Sequence, residues 1–387
     1  MAKLKKMTAR RQKLHDELMQ ASKQNMIDSL SDAKILEIPC DIFHNCLTAE
    51  ENEIIVDRVF KYYRVVGFPY YNMSDDEILK EYKKFMGYDM KNLVVETDEI
   101  NQIMHGLNVT NNFFPNMWEV QCNKMLTPKQ VFDDDILFKK ALTKRIKMSD
   151  CPLHPFGIRK AIKIFSGTQS VSGFRPSVAK CLVETLFPNR KTVGVLDPCM
   201  GWGGRLFGCV TSPVVDRYVG FDVAKDTVEG LRCLKDKIFD LKLVSNTDID
   251  IIEGAFESSK LDLDMYDKFD LVLTSPPYFD IEKYSDDPDQ SFIKYKTYDT
   301  WLDGFLRPTI ELSYEYLKNN GYIAFNVGYG QLYDDTYRII EEVFGKVDKV
   351  YRMRLSQMCG RGIDKDTVKF KYEPIIIAKK TTNKSYI

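Results

Sequence analysis

Residues 270–279, DLVLTSPPYF, join the pattern of a short buried strand to a proline-locked turn. Each proline fixes its own φ and pushes the residue before it into an extended conformation. The carbonyl groups of Ser275 and Pro276 therefore point in set directions. Open α/β sheets bind their ligands at the carboxyl ends of their strands. The turn thus offers a hydroxyl and a fixed carbonyl at a position suited to a ligand.

This pair of acceptors suits the chemistry of a conjugated amino group. The amino nitrogen of cytosine or adenine is a poor nucleophile because its lone pair is delocalised into the ring. If Ser275 Oγ and a fixed carbonyl accept its two N–H bonds, the nitrogen moves towards tetrahedral geometry and its lone pair can attack an electrophilic methyl group. Tyr278 would stack on the face of the base. The turn therefore favours amine methylation over a plain proline-stiffened loop.

A second motif, the loop at residues 197–204, follows another predicted strand at 193–196. Its glycines let the backbone pass close under a ligand where a Cβ would clash. Asp222 follows about 20 residues later at the end of the next strand, where it would bind ribose hydroxyls. Nicotinamide-dinucleotide enzymes share this layout, but Leu206 stands where their third glycine would be. The loop predicts a nucleoside cofactor and disfavours a dehydrogenase.

Alternating strand and helix patterns from His154 onward predict a parallel sheet covered on both faces. The predicted strands are residues 193–196, 218–221, 249–252, 271–274 and 322–327, followed by a hairpin of 349–354 and 374–378. The chain up to about Asp150 is predicted to be mostly helical, with capping boxes that begin at Thr48, Ser74 and Thr127. No chemical motif is evident in that part.

Composition narrows the class of protein. The chain has 387 residues, 44% hydrophobic and 29% charged, as expected of a soluble globular protein with two or three domains. No run of about 18 uncharged apolar residues occurs, so no membrane helix is expected, and no secretory signal is evident. Scattered cysteines indicate a reducing compartment, cytoplasmic or nuclear. Cys40, His44 and Cys46 lack a second ligand pair, so no metal site is expected.

The net charge is −1, so the protein as a whole is not the basic body that binds nucleic acid non-specifically. Contacts with phosphates would have to come from local patches. One candidate is a basic helix predicted over residues 3–23, and its alternative is a solvated terminal helix. The other candidate is a set of basic residues near the terminal hairpin, or a merely solvated loop: Arg352, Arg354, Arg361, Lys365, Lys369 and Lys371.

Together, the motifs between residues 154 and 380 resemble the S-adenosylmethionine-dependent DNA amino-methyltransferases of the N4-cytosine/N6-adenine family. Gly173-Phe-Arg-Pro176 resembles the segment that holds the methionine end of the cofactor, and Asp197-Pro-x-x-Gly-x-Gly-Gly204 resembles the cofactor loop. Ser275-Pro-Pro-Tyr278 resembles the catalytic motif, in the Ser-first form commoner among N4-cytosine enzymes. The acid often found after the third strand is absent, because Gly254-Ala-Phe256 stands there.

The resemblance implies an α/β fold, a Rossmann-like seven-stranded methyltransferase domain over residues 151–387 with a helical N-terminal domain over 1–150. By elimination, the N-terminal domain is expected to recognise the DNA target. The implied activity is site-specific transfer of a methyl group from S-adenosylmethionine to an exocyclic base amine of DNA, N4 of cytosine, with the base flipped out. The implied cofactor residues are Arg175, Pro176, Asp197, Pro198, Gly201, Gly203, Gly204 and Asp222; the implied catalytic residues are Ser275, Pro276, Pro277 and Tyr278.

Two alternatives stay open. One keeps the chemistry and changes the substrate to N6 of adenine or to an amine in RNA. The other is a non-catalytic nucleic-acid-binding protein on a methyltransferase fold, against which the intact Ser275 and the glycine loop argue. The recognition sequence, the oligomeric state and a restriction enzyme as companion have no recognisable signal in the sequence.

Overall fold

The computed structural model describes residues 31–38, 47–95, 98–148, 153–165, 167–259, 266–357 and 370–381. The helix expected over residues 3–23 and the Cys40, His44 and Cys46 group lie outside these ranges. The helices are α1 (Asp32–Ile35), α2 (Ala49–Val66), α3 (Asp75–Met86), α4 (Leu107–Asn111), α5 (Pro128–Asp133), α6 (Asp135–Ile146), α7 (Pro155–Lys163), α8 (Pro176–Leu186), α9 (Gly204–Val210), α10 (Lys225–Asp240), α11 (Ser291–Lys294), α12 (Tyr298–Trp301), α13 (Arg307–Tyr316) and α14 (Gln331–Phe344).

The strands of the main sheet are β1 (Val94–Val95), β2 (Glu99–Ile100), β3 (Val193–Asp197), β4 (Val215–Asp222), β5 (Asp248–Glu253), β6 (Phe269–Thr274), β7 (Leu317–Asn326), β8 (Lys349–Gln357) and β9 (Phe370–Lys379). Single-turn 3₁₀ segments lie at Met90–Leu93, Pro115–Trp118 and Phe256–Ser258, and a π-helical turn at Leu302–Leu306 joins α12 to α13. Further two-residue strands are Gln121–Cys122 and Glu282–Lys283.

Contacts between residues divide the chain into two compact units, each assembled from two separate pieces of sequence. The first unit comprises Met1–Tyr70 and Trp118–Val171, and the second comprises Tyr71–Met117 and Ser172–Ile387. The contacts therefore group Tyr71–Met117 with the methyltransferase region rather than with the rest of the N-terminal part. The expected division of labour between residues 1–150 and 151–387 stays a prediction.

The first unit is helical and has an aromatic core. Helix α2 begins at the predicted capping box, in which Thr48 and Glu51 exchange backbone-to-side-chain hydrogen bonds of 2.7 and 3.2 Å. It ends at Gly67, whose φ of +86° is left-handed. Tyr63 and Phe138 pack edge to face in the core, with ring centroids 6.3 Å apart. The capping boxes predicted at Thr127, and at Ser74 in the second unit, are also formed.

The second unit contains the main sheet, whose strand order is β1-β2-β8-β9-β7-β6-β3-β4-β5. Strands β3 to β7 pair in parallel, and β9 runs antiparallel between β7 and β8. The five predicted parallel strands and the predicted hairpin thus form a Rossmann-like seven-stranded methyltransferase sheet. The short strands β1 and β2 extend its edge, with β2 parallel to β8.

The pairing register brings the chemical motifs to one edge of the sheet. Leu196 of β3 pairs with Val272 of β6, so the loop after β3 and the turn after β6 leave the sheet side by side. Thr274 pairs with Phe325 of β7, which sets Ser275 beside the end of β7. Both β3 and β6 are fully buried, as expected of central parallel strands.

The segment Tyr71–Met117 packs into the second unit through close contacts at glycines. At Gly106, a Cβ would lie 3.2 Å from the Phe85 and Phe207 rings. Phe114 is fully buried against Gly203 and Gly230, and Asn116 Nδ2 donates to Thr227 Oγ1 at 3.0 Å. Burial of a Phe side chain stabilises a fold by about 1.5–3 kcal/mol. The segment is therefore part of the core that supports the sheet.

Two further observations concern membrane-spanning helices and metal sites. Within the ranges given above, every helix is too short or too polar to cross a lipid bilayer. The same residues contain no group of three His, Cys, Asp or Glu side chains arranged to hold a metal ion.

Candidate active site

The loop after β3 is held in shape by the carboxylate of Asp222. Gly201 N donates to Asp222 Oδ2 at 2.9 Å, and Ala224 N donates to Oδ1 at 3.0 Å. Gly201 and Gly203 have φ values of +56° and +67°, a region that favours glycine. Burial raises the pKa of Asp222 to about 6, although the two N–H donors oppose this shift. The predicted ribose-binding acid thus also fixes the path of the glycine loop.

Asp197, at the end of β3, directs both carboxylate oxygens into the protein. Arg205 Nε and the Tyr218 hydroxyl donate to Oδ2 at 2.8 and 2.7 Å. Cys199 N donates to Oδ1 at 3.3 Å. The Asp197 side chain is fully buried, and Pro198 beside it is buried as well. In this arrangement Asp197 anchors the start of the loop through its neighbours.

Gly204 is constrained by packing. A Cβ at this position would lie 1.9 Å from the carbonyl oxygen of Phe174, far inside contact distance. The start of α9 is therefore pressed against the segment that leads into α8. Two of the predicted cofactor elements, the glycine loop and the Gly173–Pro176 stretch, are brought together by this contact.

Arg175 directly precedes α8 without a side-chain capping hydrogen bond, and Pro176 occupies the favoured first turn of the helix. Arg175 Nη1 donates to Gly173 O at 2.9 Å and to Ser172 Oγ at 3.2 Å. Its Nε is buried and has no hydrogen-bond partner among the described residues. Burial lowers the pKa of the guanidinium. One donor of Arg175 is thus left for a group beyond the protein.

The turn after β6 presents Ser275 in a fixed orientation. Ser275 Oγ lies 3.1 Å from Asn326 Oδ1, and Asn326 Nδ2 donates to Pro374 O at 3.0 Å. Asn326 is buried. Because its amide donor is bonded to Pro374 O, the hydrogen-bond network assigns Oδ1 to the Ser275 side. The Ser275 hydroxyl therefore donates its proton to Asn326, so towards any other group it can act only as an acceptor.

Tyr278 lies beside an acidic side chain on β9. The side chains of Tyr278 and Asn326 both lie close to the Glu373 carboxyl. Burial raises the pKa of Tyr278 well above its usual range and also raises the pKa of the Glu373 carboxyl. The Tyr278 ring lies alongside Gly328, where a Cβ would stand 3.4 Å from Cε2. Ser275, Asn326, Glu373 and Tyr278 therefore lie together as one polar cluster at the end of β6 and β7.

The conformation of the turn is supported from its other side by aromatic packing. Phe279 has a φ of +54°, which is rare for a bulky residue and costs of order 1–3 kcal/mol. Its ring packs against Tyr298 and Trp301, at centroid distances of 5.7 and 5.8 Å. Pro276 is buried and Pro277 half-buried in the same turn.

The predicted cofactor and catalytic motifs lie in contact. Cys199 N, in the glycine loop, donates to Thr274 Oγ1, the residue before Ser275, at 3.2 Å.

The basic residues predicted to contact phosphates are in part engaged in ion pairs. Arg352 pairs with Asp98 and Glu99 at 3.2 and 2.8 Å, and Arg354 pairs with Glu99 at 2.7 Å, so two carboxylates of the second unit balance the two charges. Lys371 is exposed on β9, whereas Arg361, Lys365 and Lys369 lie outside the described residues.

Sequence analysis assigned no role to Asn326 or Glu373. Asn326 had a usable signal, because it is a polar residue directly after the apolar run of a predicted parallel strand, where ligand-facing groups occur. Glu373 had none, since its position beside Tyr278 depends on the antiparallel pairing of β9 with β7.

Comparison with solved structures gives methyltransferases at low similarity. TrmN from Thermus thermophilus is 13% identical over 53% of this chain and 48% of its own, with a TM-score of 0.36. A SAM-dependent O-methyltransferase from Thermotoga maritima is 12% identical over 55% and 68%, with a TM-score of 0.36. A putative RNA methyltransferase from Pyrococcus horikoshii is 14% identical over 53% and 83%, with a TM-score of 0.34.

The chain spans about half the length of the first of these proteins. Comparison with curated proteins gave no match.

A family model gives the informative match. Residues 269–387 match the family described as DNA methylase, of the N6/N4 methyltransferase type. The matched stretch begins at β6 and contains the turn at Ser275–Tyr278, β7 and both strands of the terminal hairpin. It supports S-adenosylmethionine as the cofactor. Over residues 269–387 the chain is thus similar to the DNA methylase family of the N6/N4 methyltransferase type.

Proposed function

We propose that the protein is a site-specific DNA methyltransferase that modifies N4 of cytosine. The observation that carries this proposal is the hydrogen bond from Ser275 Oγ to Asn326 Oδ1, 3.1 Å long. A hydroxyl whose proton is already bonded can only accept from an incoming amine. The hydroxyl is thereby prepared to localise the amine's lone pair.

The residues of the second unit fit S-adenosylmethionine, which supplies an electrophilic methyl group when bound. Gly201 and Gly203 hold the left-handed turns of the loop, and the lone pairs of Asp222 not bonded to backbone N–H groups can accept from ribose hydroxyls. The buried Nε of Arg175 has no partner among the described residues. An unpaired buried donor is costly, so a bound anionic group would satisfy it.

We assign the remaining steps to the turn after β6. Ser275 Oγ and the Pro276 carbonyl accept the two N–H bonds of the base amine, and Tyr278 stacks on the flipped-out ring. Burial keeps Tyr278 neutral, so it offers an uncharged aromatic face. After transfer, the methylated amine carries one proton too many and releases it to solvent.

The choice of cytosine rests on the Ser-first form of the motif, which resembles N4-cytosine enzymes. N6 of adenine is the second candidate, because the matched family covers both amines. The first unit is assigned to recognition of the DNA target by elimination, since the second unit is occupied by the sheet and its helices.

Product analysis tests the proposal. Plasmid DNA and total RNA are incubated separately with the protein and S-adenosylmethionine, digested to nucleosides and analysed by mass spectrometry. We expect N4-methylcytosine in DNA from the wild-type protein and none from Ser275→Ala. N6-methyladenine as sole product would overturn the choice of base, and product in RNA alone would overturn the choice of polymer.

A further inference from the structure

Asn111, the last residue of α4, has a buried acceptor without a partner. Its side chain is 6% exposed, and its Oδ1 accepts no hydrogen bond from any residue that the structure describes. Leaving a buried polar atom unpaired costs about 1–3 kcal/mol. Such an atom therefore calls for a ligand or another explanation.

Asn111 lies next to the segment assigned to the methionine end of the cofactor. A Cβ built on Gly173 would be 3.7 Å from Asn111 Oδ1. The carbonyl of Gly173 in turn accepts from Arg175 Nη1 at 2.9 Å. The glycine loop adjoins the same segment, through the contact of Gly204 with Phe174.

Two donors in this neighbourhood also lack partners. Arg175 Nε and the indole N–H of Trp202 are buried and unpaired among the described residues. Trp202 belongs to the glycine loop and is 9% exposed. One acceptor and two donors left open on adjoining segments match an amino-acid zwitterion, whose ammonium donates and whose carboxylate accepts.

We propose that Asn111 Oδ1 accepts a hydrogen bond from the ammonium group at the methionine end of S-adenosylmethionine. The inference rests on the proposed function, because it assumes that the glycine loop binds this cofactor. Arg175 Nε and the Trp202 indole N–H are the donors that remain for the carboxylate of the same end. The cofactor site then includes a residue of Tyr71–Met117, a part of the chain that the sequence assigned to target recognition.

Calorimetric titration with two nucleosides tests the inference without any turnover. S-adenosylhomocysteine carries the amino-acid end, and 5′-methylthioadenosine has the same adenosine and sulfur but lacks it. Asn111→Ala is expected to weaken S-adenosylhomocysteine binding about 10- to 100-fold, the effect of one hydrogen bond to a charged group. Binding of 5′-methylthioadenosine should not change.

Asn111→Asp retains an acceptor for the ammonium, so it should bind S-adenosylhomocysteine more tightly than Asn111→Ala does. Asn112→Ala is the matched control, because Asn112 Oδ1 already accepts from Met73 N at 2.8 Å. It should bind both nucleosides in the wild-type ratio.

Equal losses for both nucleosides in Asn111→Ala, or no loss for either, would overturn the inference alone. Weaker S-adenosylhomocysteine binding by Asn111→Asp than by Asn111→Ala would also overturn it, since the side chain would then face the carboxylate. A wild-type protein that binds neither nucleoside would overturn the proposed function as well.

Discussion

Ser275 Oγ donates to Asn326 Oδ1 at 3.1 Å, and the orientation of that amide is set by Pro374 O, 3.0 Å from Asn326 Nδ2. The two bonds link the turn after β6 to β7 and β9. A single hydroxyl proton is thereby directed by three neighbouring strands of the sheet. The orientation of the Ser275 hydroxyl is therefore a property of the sheet and not of the turn alone.

Ser275→Ala should lower turnover by at least about 100-fold, as expected when a preorganised group at the reacting atom is removed. Affinity for S-adenosylhomocysteine should change little, because Ser275 faces the base. Single-turnover methylation and calorimetric titration measure the two effects. Equal losses in turnover and affinity would mean that Ser275 supports the fold.

Asn326→Ala should lower turnover about 10- to 100-fold, because the freed Ser275 hydroxyl can turn its proton towards the amine. In a double-mutant cycle, adding Asn326→Ala to Ser275→Ala should cause little further loss, since Asn326 acts through Ser275. Single-turnover rates of the four proteins decide this. Additive losses would show that Asn326 acts independently of Ser275.

Affinity for S-adenosylhomocysteine should rise with pH between about pH 5 and pH 7 and then level off. The pKa of Asp222 is about 6, and only its carboxylate form accepts from both backbone N–H groups and from ribose. Below this pKa the affinity should increase by up to about tenfold for each unit of pH. Calorimetric titrations across this range should show that Asp222→Asn binds S-adenosylhomocysteine more weakly than the wild type and with an affinity that does not depend on pH. The same pH dependence in the variant as in the wild type would exclude Asp222 as its cause.

The same group has the opposite effect on stability. Its unfolded pKa is about 3.9, so the folded protein binds more protons between about pH 4 and pH 6. The contribution of Asp222 to the free energy of unfolding therefore falls as pH rises through this window. Denaturant titrations of the wild type and of Asp222→Asn at pH 4 and pH 6 measure this contribution as the difference between their free energies of unfolding.

Gly204→Ala should destabilise the second unit by more than the 1–3 kcal/mol typical of overpacking, because the new methyl would meet a backbone carbonyl at 1.9 Å. Gly173→Ala is the control, since its Cβ would have only ordinary contacts of 3.6 and 3.7 Å. Thermal unfolding of both variants compares them. Similar melting temperatures would mean that the α8 and α9 contact can relax.

Removal of residues 1–150 should unfold the second unit, because it deletes Phe114 and the other core contacts of Tyr71–Met117. Residues 71–117 can instead be joined to 172–387 by a flexible linker of about 20 residues, whose root-mean-square end-to-end distance is about 25 Å. This shortened chain should stay folded and bind S-adenosylhomocysteine. Circular dichroism and calorimetry test both chains. Loss of DNA binding by the linked chain would support target recognition by the first unit, and retained sequence choice would contradict it.

Local patterns in the sequence were enough to predict strands β3 to β9 and the helix starts at Thr48, Ser74 and Thr127, but not the two-residue strands β1 and β2. A buried strand such as β6 and a capping box such as that at Thr48 depend on residues within a few positions of each other. The grouping of Tyr71–Met117 with the methyltransferase sheet has no such signal. It depends on contacts such as Gly106 with Phe207, which join residues about a hundred positions apart and leave no periodic trace.

The pairing of strand β2 with β8 affects how the chain folds during its synthesis on the ribosome. Arg352 N donates to Asp98 O at 2.7 Å, and Glu99 pairs in the sheet with Arg352 of β8, so an early part of the chain completes its pairing only after β8 has left the ribosome. Glu99 can pair at once with Val95 of β1, but synthesis at about 5–20 residues per second leaves it without its β8 partner for roughly 13–50 s. Contacts of such wide sequence separation slow folding, and the N-terminal sheet edge is open to wrong partners throughout that interval.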